Sequence, residues 1–536
     1  MPTQRIAFKE WLPDQPGVLD CVTEANNVVP LAIGYGPINS AVNYSLAASE
    51  NLNNVFAGKY SGTVTVFAGG ATKLFKLDTS DLSLDDVSKV GGYTGNSRWR
   101  FAQFGGTLLA TNSSEKIQKW DLASGTVFAD LAAAAPIAKY VTVVRDFVVA
   151  ANIGNGTDPE KVQWSDINDE TDWTPGAASQ SDYQIIPDGG DITGIVGGEF
   201  GIVFLEKSIV RMSYIGSPLF FQFDTIARGV GCIEGGSIAQ YAGITYFLAD
   251  DGFYSCDGQQ LNRIGSEKVD RYFFNNANIG NITSISASID PERNLVIWDY
   301  INVSGGNSLI IYNYQTQKWS EADTDVDYLS TLSTTGVSLD SIDTAYNVTA
   351  GSFVVSKSYT IREVGTTSFT SIGAVANTIG VLFTATGIGS GTGVGIDMAA
   401  AATAAKTLDT LVTSLDDRIY AGGKFLFGGV RDDRIITFSG THATGSITTN
   451  DLEYGYSSLV NLIRPSVNNG SADVSIASRK ELDDTLTYST AVSASSEGRC
   501  SVRSLGRYHR VNVSPTGSGW TTAIGLDLDA APQGTR

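Results

Sequence analysis

His442 and His509 are the only imidazoles in the chain of 536 residues, so a Ser-His-Asp relay would have to use one of them. No G-x-S-x-G elbow accompanies them. His509 lies in the alternating run Arg507-Tyr508-His509-Arg510 and His442 in a Thr- and Gly-rich turn, so both are read as structural. Gly387-Ile388-Gly389-Ser390-Gly391-Thr392-Gly393 has the glycine content of a phosphate loop. It lacks the Walker lysine, and no helical pattern opens after it, which leaves a flexible β turn. Asp166, Asp169, Glu170, Asp172, Asp188, Asp191, Asp250 and Asp251 are candidates for a carboxylate pair, which does acid–base work at a separation of about 5 to 9 Å. With 56 acidic residues, chance pairs are unavoidable. A sialidase-type S-x-D-x-G-x-T-W box and a D-x-D-x-D-G calcium loop are both missing from the sequence. Trp99, Trp120, Trp164, Trp173, Trp298, Trp319 and Trp520 have the ring area to stack on sugars, but most fall at strand ends where a β blade needs a large plug, so they are assigned to the core. No catalytic, cofactor-binding or metal-binding residue is therefore assigned, and no cofactor is expected.

Cys21, Cys232, Cys256 and Cys500 contain no C-x-x-C pair and no zinc spacing. Cys232 and Cys256 are placed to face each other across neighbouring strands, but free buried thiols are the expectation, as in a reducing cytoplasm. The net charge of −20 argues against a broad grip on nucleic acid, which needs clustered Lys and Arg. An acidic wall is compatible with a duplex that passes without sticking; it also simply keeps a large protein soluble. Met1 to Glu10 carries no basic segment followed by an apolar run, and no stretch of eighteen apolar residues occurs, so neither a signal peptide nor a membrane-spanning segment is expected.

The elements that must position these residues are short β strands. Thr63-Val64-Thr65-Val66-Phe67-Ala68-Gly69-Gly70 is followed by Thr72-Lys73-Leu74-Phe75-Lys76-Leu77, with Gly-Gly read as the hairpin turn. Trp99 to Ala110 repeats the design around Gly105-Gly106, Tyr140 to Ala150 around Arg145-Asp146, and Ile195 to Phe204 around Gly197-Gly198. Ile244 to Leu248, Asp251 to Gly258, Asn294 to Tyr300 and Ile310 to Trp319 continue it. Hairpins return roughly every 40 to 50 residues, the period of a propeller blade. The fold class is all-β: a β-propeller of six blades, with seven as the other count, an inserted small β module and a C-terminal β unit.

The proposed division is an extended N-terminal arm over 1–45, punctuated by Pro13, Pro16, Pro30 and Pro37; the first part of the propeller over 46–345; the inserted module over 346–397, rich in Thr, Ser and Gly and almost uncharged; a return to the propeller over 398–455; and the C-terminal unit over 456–536. Helix is expected only over 45–54, over 398–413, and as a single turn within Ser266 to Phe274.

Several segments, taken in order, resemble a known family. They are Phe8-Lys9-Glu10-Trp11-Leu12-Pro13-Asp14-Gln15-Pro16, Ala25-Asn26-Asn27-Val28-Val29-Pro30, Val143 to Val149, Val162-Gln163-Trp164-Ser165, Pro187-Asp188-Gly189-Gly190, Glu206 to Met212, Asp250 to Tyr254, Gly506 to Arg510, and Pro532-Gln533-Gly534. Together they are similar to the tail nozzle of short-tailed phages, also called tail tubular protein B or packaged-DNA stabilisation protein. The resemblance spans about 1–330 and 400–536 and rests on the order of the segments rather than on one motif. It implies a virion protein, assembled in the host cytoplasm, with six copies in a ring beneath the tail adaptor and portal proteins. Tail fibre or tail-tip proteins would be further partners, and viral DNA would pass through the lumen without sequence-specific binding. It carries over no catalytic residue. The module at 346–397 resembles a small β module of various phage tail proteins and departs from the bare nozzle pattern. The polar loops at 151–161 and 321–345 are candidates for gating the channel. The rival readings are a host-surface polysaccharide-binding protein or depolymerase, with carboxylates and tryptophans gathered at one propeller mouth, and a receptor-binding module at 346–397.

Overall fold

The computed structural model describes residues 3–16, 20–78, 82–95, 98–333, 347–378, 381–397 and 425–533. Seven antiparallel four-stranded units follow one another along the chain. Their first strands are Leu52–Tyr60, Arg100–Phe104, Ala138–Val144, Ile192–Val196, Ala239–Tyr241, Ser286–Asp290 and Tyr328–Ser333. The protein is a seven-bladed β-propeller, one blade more than the six favoured from the sequence. The seventh unit was hard to see because it is assembled from three distant places: Tyr328–Ser333, then Phe425–Arg431 and Arg434–Thr437, and last Val42–Asn43 from the N-terminal segment. Blade seven thus closes the ring with a strand borrowed from the other end of the chain.

Burial explains why the strands read as they do. The second strands Phe147–Ile153 and Gly201–Leu205 are buried at every residue, because both of their faces pack against neighbouring blades. The outermost strand Asp182–Ile185 is exposed at its last three positions. Six of the seven gaps between blades hold an apolar cluster of their own, and the cluster between blades five and six, around Leu248, Phe253 and Trp298, runs on into the C-terminal strands. Phe67, Leu108 and Trp120 fill the first gap, and Val66, Tyr328 and Val430 fill the gap between blades seven and one. Polar staples cross the same gaps: Asn54 Nδ2 donates to the Trp99 carbonyl at 2.7 Å, Trp298 Nε1 to the Ser237 carbonyl at 2.8 Å, and Ser330 Oγ to the Val55 carbonyl at 2.8 Å.

A second layer, here called the platform, is built from the long strands Leu452–Asn468, Cys500–Thr516 and Thr522–Pro532 with Ser471–Arg479. The N-terminal segment is woven into it. Thr3–Ala7 pairs with Thr522–Pro532, while Val28–Pro30 and Tyr35–Pro37 extend the same sheet. Val22–Asn26 is the splice. It pairs in parallel with blade six at Asn26 and Glu321 and antiparallel with Ser446–Thr449 of the platform. One continuous sheet of 14 strands therefore runs from the propeller into the platform. Trp11 is buried edge-on against Tyr272 at 5.1 Å, and the Asp14 carboxylate accepts the main-chain N–H groups of Arg271 and Tyr272 at 2.9 and 2.7 Å.

The module forms a separate four-stranded sheet, ordered Asn347–Thr349, Val394–Asp397, Ser358–Glu363, Leu382–Thr384. Its core of Phe353, Tyr359, Phe369 and Phe383 is its own.

Four local expectations need correction, and one, the helical turn, is met. Residues 45–54 form no helix: the strand Leu52–Tyr60 begins there, held by pairing to Thr63–Gly70. The helical turn expected within Ser266 to Phe274 is the helix Asp270–Asn276. Gly69-Gly70 ends a strand rather than making the turn, because Trp99 lies where a Cβ on Gly69 would stand and Trp99 Nε1 donates to the Gly70 carbonyl at 3.0 Å. The segment 151–161 is not a long loop but two paired strands, Phe147–Ile153 and Asp158–Trp164, joined by a short turn in which Thr157 N–H donates to the Gly154 carbonyl. The segment 321–345 contains the end of Lys318–Ala322 and all of Tyr328–Ser333, while 334–345 and the helix candidate at 398–413 lie outside the described residues.

Candidate functional site

All seven blades line a chamber of about 340 Å³ on the propeller axis. Polar side chains from six of the blades line it, among them Asn54, Arg100, Tyr140, Gln240, Ser288 and Tyr328. Arg98 and Arg100 flank buried Trp99, and strand alternation turns both away from it. The Arg98 guanidinium crosses the axis: Nη1 donates to the Ile285 carbonyl at 3.3 Å and Nη2 to the Ser284 carbonyl at 3.2 Å. Its Cζ also lies 4.4 Å from the Tyr328 ring centre. Arg100 Nη1 donates to Tyr328 Oη at 3.1 Å, and Nη2 stands 3.7 Å from Glu234 Oε1, beyond hydrogen-bond reach. The Arg100 guanidinium and Lys139 Nζ each lie 5.4 Å from the centre of the Tyr140 ring. The Tyr140 hydroxyl is buried without a hydrogen-bond partner. Gly235 and Gly236 admit this crowding: a Cβ on the first would strike the Tyr140 ring, and one on the second the Ile285 carbonyl. Asp299 is buried, and desolvation, reinforced by Asp327, holds its carboxyl well above the usual range.

The splice between propeller and platform is a second polar centre. Tyr272 Oη donates to Glu321 Oε2, and Asn26 Nδ2 to Asp323 Oδ2 at 2.6 Å. Glu24 accepts from Ser446 Oγ and Thr448 Oγ1, both at 2.8 Å. Desolvation pushes Glu321 up to about 7, with Asp323 and Glu24 adding in the same direction and the Tyr272 hydroxyl opposing. Asp270 is raised to about 6, again chiefly by desolvation. Within the platform, Asp451 is nearly inaccessible and is clasped by Arg510 through Nε and Nη2 and by Arg479.

The residues singled out from the sequence fall into structural roles. His509 Nε2 lies 2.8 Å from Ser458 Oγ, and burial lowers its pKa. His442 packs edge-on against Trp520 at 6.0 Å. The seven tryptophans and Trp11 are all buried. All four cysteines are free and buried, with Cys232 and Cys256 in one apolar cluster between blades four and five. Asp166, Asp169 and Asp172 accept main-chain N–H groups in turns. Glu170 accepts from Thr107 Oγ1, Asp250 pairs with Lys207, and Asp251 pairs with Arg263. Asp188 contributes its carbonyl to Ser208 Oγ, and Asp191 its carbonyl to Glu206 N–H. Gly387 to Gly393 lies outside the module's strands, with Gly391 at φ 108°. Among the described residues, no three His, Cys, Asp or Glu side chains gather as metal ligands. The axial group Arg98, Arg100, Tyr140, Glu234 and Tyr328 went unnoticed in the sequence. Its only trace was a pair of arginines on the same side of a strand whose intervening residue is a core tryptophan.

No protein-family profile and no curated protein matches the chain. Among solved structures it is similar to the computationally designed Ika8 protein, at 11% identity and a TM-score of 0.32 over 55% of this chain and 94% of that one. It is also similar to the Pan2 WD40 domain of Neurospora crassa, at 7% identity and a TM-score of 0.34 over 58% and 91%. A third is the N-terminal domain of Nup159, at 9% identity and a TM-score of 0.29 over 48% and 74%.

Proposed function

We propose that this chain is a structural, non-enzymatic subunit of the tail nozzle of a short-tailed phage. In this reading six copies form a ring beneath the adaptor and portal, retain packaged DNA, and conduct it during genome ejection. The observation that carries the reading is the splice at Val22–Asn26, which fuses propeller and platform through one sheet of 14 strands. Such a fusion suits a load-bearing wall better than a hinged enzyme. A plugged axis supports a DNA path outside the propeller. A chamber of about 340 Å³ is the size of a small-ligand pocket, whereas the major groove of a duplex alone is about 12 Å wide. The conduit is therefore the space enclosed by neighbouring subunits, a heterologous ring in which each propeller is a solid block. A net charge of −20 keeps such a wall from adhering to phosphates.

The module at 347–397 carries exposed Val354, Val355, Val375, Leu382 and Ile388 on a self-contained core, which supports an outward contact role with tail fibre or tail-tip proteins. The retention role is tested in particles assembled without this chain. They are expected to package DNA and then lose it. Normal retention would overturn the reading and favour the alternative, a host-surface polysaccharide-binding or depolymerase tail protein.

A further inference from the structure

We propose that neighbouring copies of this chain meet head to tail, the outer edge of blade three on one copy against the outer face of the platform on the next. The proposal rests on the ring of the tail-nozzle reading and names the two surfaces that close it. Charge is spread unevenly along the chain. Between Arg145 and Lys207 the only base is Lys161, in a stretch that holds Asp158, Glu160, Asp182, Asp188 and Asp191. Asp158 and Glu160 lie on the third strand of blade three, Asp158–Trp164, and Asp182 opens its outermost strand, Asp182–Ile185. Asp182 is the register partner of Trp164, and strand alternation turns Asp158 and Glu160 to the same side as Trp164, so the three carboxylates share one face. None of the three forms a salt bridge among the described residues. Lys161 lies instead over the Tyr183 ring, 4.2 Å from its centre. Tyr183 and Ile185, between Asp182 and Asp188, are 48% and 47% exposed. This edge is an acidic strip with an apolar middle.

The platform presents the complement. Leu459 and Leu505 are register partners on its outer face, and alternation along Cys500–Thr516 sets Arg503 and Arg507 on the same side as Leu505, all three exposed. The opposite side of these strands carries the buried Val460, Ile463 and Cys500. Arg464 joins the outer face opposite Asp527, which is itself opposite Arg5. Arg5 and Arg507 are paired with Asp527 and Glu453, whereas Arg503 has no acidic partner among the described residues. Arg5, Arg464, Arg503 and Arg507 thus outnumber Glu453, Asp527 and Asp529 on or beside this face, in a chain of net charge −20. The two surfaces cannot meet within one subunit, because the platform is spliced to blade six, three places from blade three in a ring of seven. A contact between unlike surfaces on nearly opposite sides is heterologous, and it repeats into a ring when its rotation closes. Opposite charge selects the partner and fixes the register, while Leu505 between its arginines and Tyr183 and Ile185 between their acids supply apolar contact.

The test uses the full chain, alone and with the adaptor–portal complex, and follows ring formation by light scattering and negative-stain imaging. One variant reverses the edge, Glu160→Lys with Asp182→Lys. A second reverses the face, Arg503→Glu with Arg507→Glu. None of these side chains is buried, so each variant should melt within about 2 °C of the parent. Either variant by itself sets like charges together at every contact and should need at least about tenfold more protein to assemble. Mixed in equal amounts, the two should assemble near the parent's concentration. In an alternating ring each reversed edge meets a reversed face, and each unchanged edge an unchanged face. Misfolded variants would not rescue one another in this way. If the parent forms rings and either variant does so at the same concentration, or if the mixture fails to recover, the proposal is overturned while the ring reading stands. If the face variant forms rings alone but no longer joins the adaptor–portal complex, the face belongs to that complex and the proposal is likewise overturned. A parent that forms no ring, alone or on the complex, overturns the ring reading and this contact with it.

Discussion

The Arg98 guanidinium spans the propeller axis from the entry of blade two to the main-chain carbonyl of Ile285 at the entry of blade six, 3.3 Å from Nη1. With the second bond to Ser284, it ties together blades that share no interface, so the ring is braced across its middle as well as around its rim.

Arg98→Ala removes two charge-assisted bonds and leaves the Ile285 and Ser284 carbonyls short of a donor. The expected cost is about 2–4 kcal/mol, read as an earlier urea transition of the propeller signal. An unchanged midpoint would mean that water replaces the brace freely.

Glu321 makes the splice sensitive to pH. Its folded pKa of about 7 lies above the ordinary value of 4.5. The folded state therefore holds a proton that the unfolded state has already released between those values, and stability falls as pH rises through that window. Asp270, raised to about 6, acts in the same sense over the lower part of it. The two ends of the window should differ by on the order of 3 kcal/mol for Glu321 alone. Glu321→Gln should flatten the profile between pH 5 and 7, leaving the smaller contribution of Asp270; a profile as steep as the parent's would remove Glu321 as the cause.

Gly69 and Trp99 are coupled by contact, since the indole occupies the place of a Gly69 Cβ. Gly69→Ala is expected to cost about 1–3 kcal/mol through overpacking. In combination with Trp99→Phe the two losses should fall short of their sum, because the smaller ring withdraws from the new methyl. Strict additivity in a double-mutant cycle would show that they do not share the space.

The chain between Ser333 and Phe425 should be removable without unfolding the propeller. These two residues are register partners at the end of adjacent strands of blade seven. Replacing residues 334–424 by a two-residue Asn-Gly turn converts the connection into an ordinary hairpin. The shortened protein should keep its melting temperature to within about 2 °C, since the module's core is its own. Loss of the cooperative transition would show that the removed stretch supports the blade.

Local pattern made the blades legible. Alternation in Tyr140 to Ala150 and the turn at Arg145-Asp146, where Arg145 takes φ 53°, gave a hairpin that the structure contains. The count of seven was harder to read, because the last blade draws Val42–Asn43 from a segment that resembles a loose arm. Short strands of two or three residues carry no periodicity of their own and form only when a distant partner exists. The axial group was illegible for a related reason. The Arg98 and Arg100 pair, Tyr140, Glu234 and Tyr328 are far from one another in sequence, and ring closure alone brings the four places together. Gly69-Gly70 misled because a glycine required by a neighbouring tryptophan looks the same in sequence as one required by a turn.

The central claim is tested most directly by imaging the purified protein alone and mixed with the adaptor–portal complex, with masses from light scattering. The account predicts six-fold rings whose hole is bounded by the outer surfaces of the subunits, with every propeller axis closed. A monomer that adds no mass to the adaptor–portal complex, or a ring in which density threads the propeller axis itself, would contradict it.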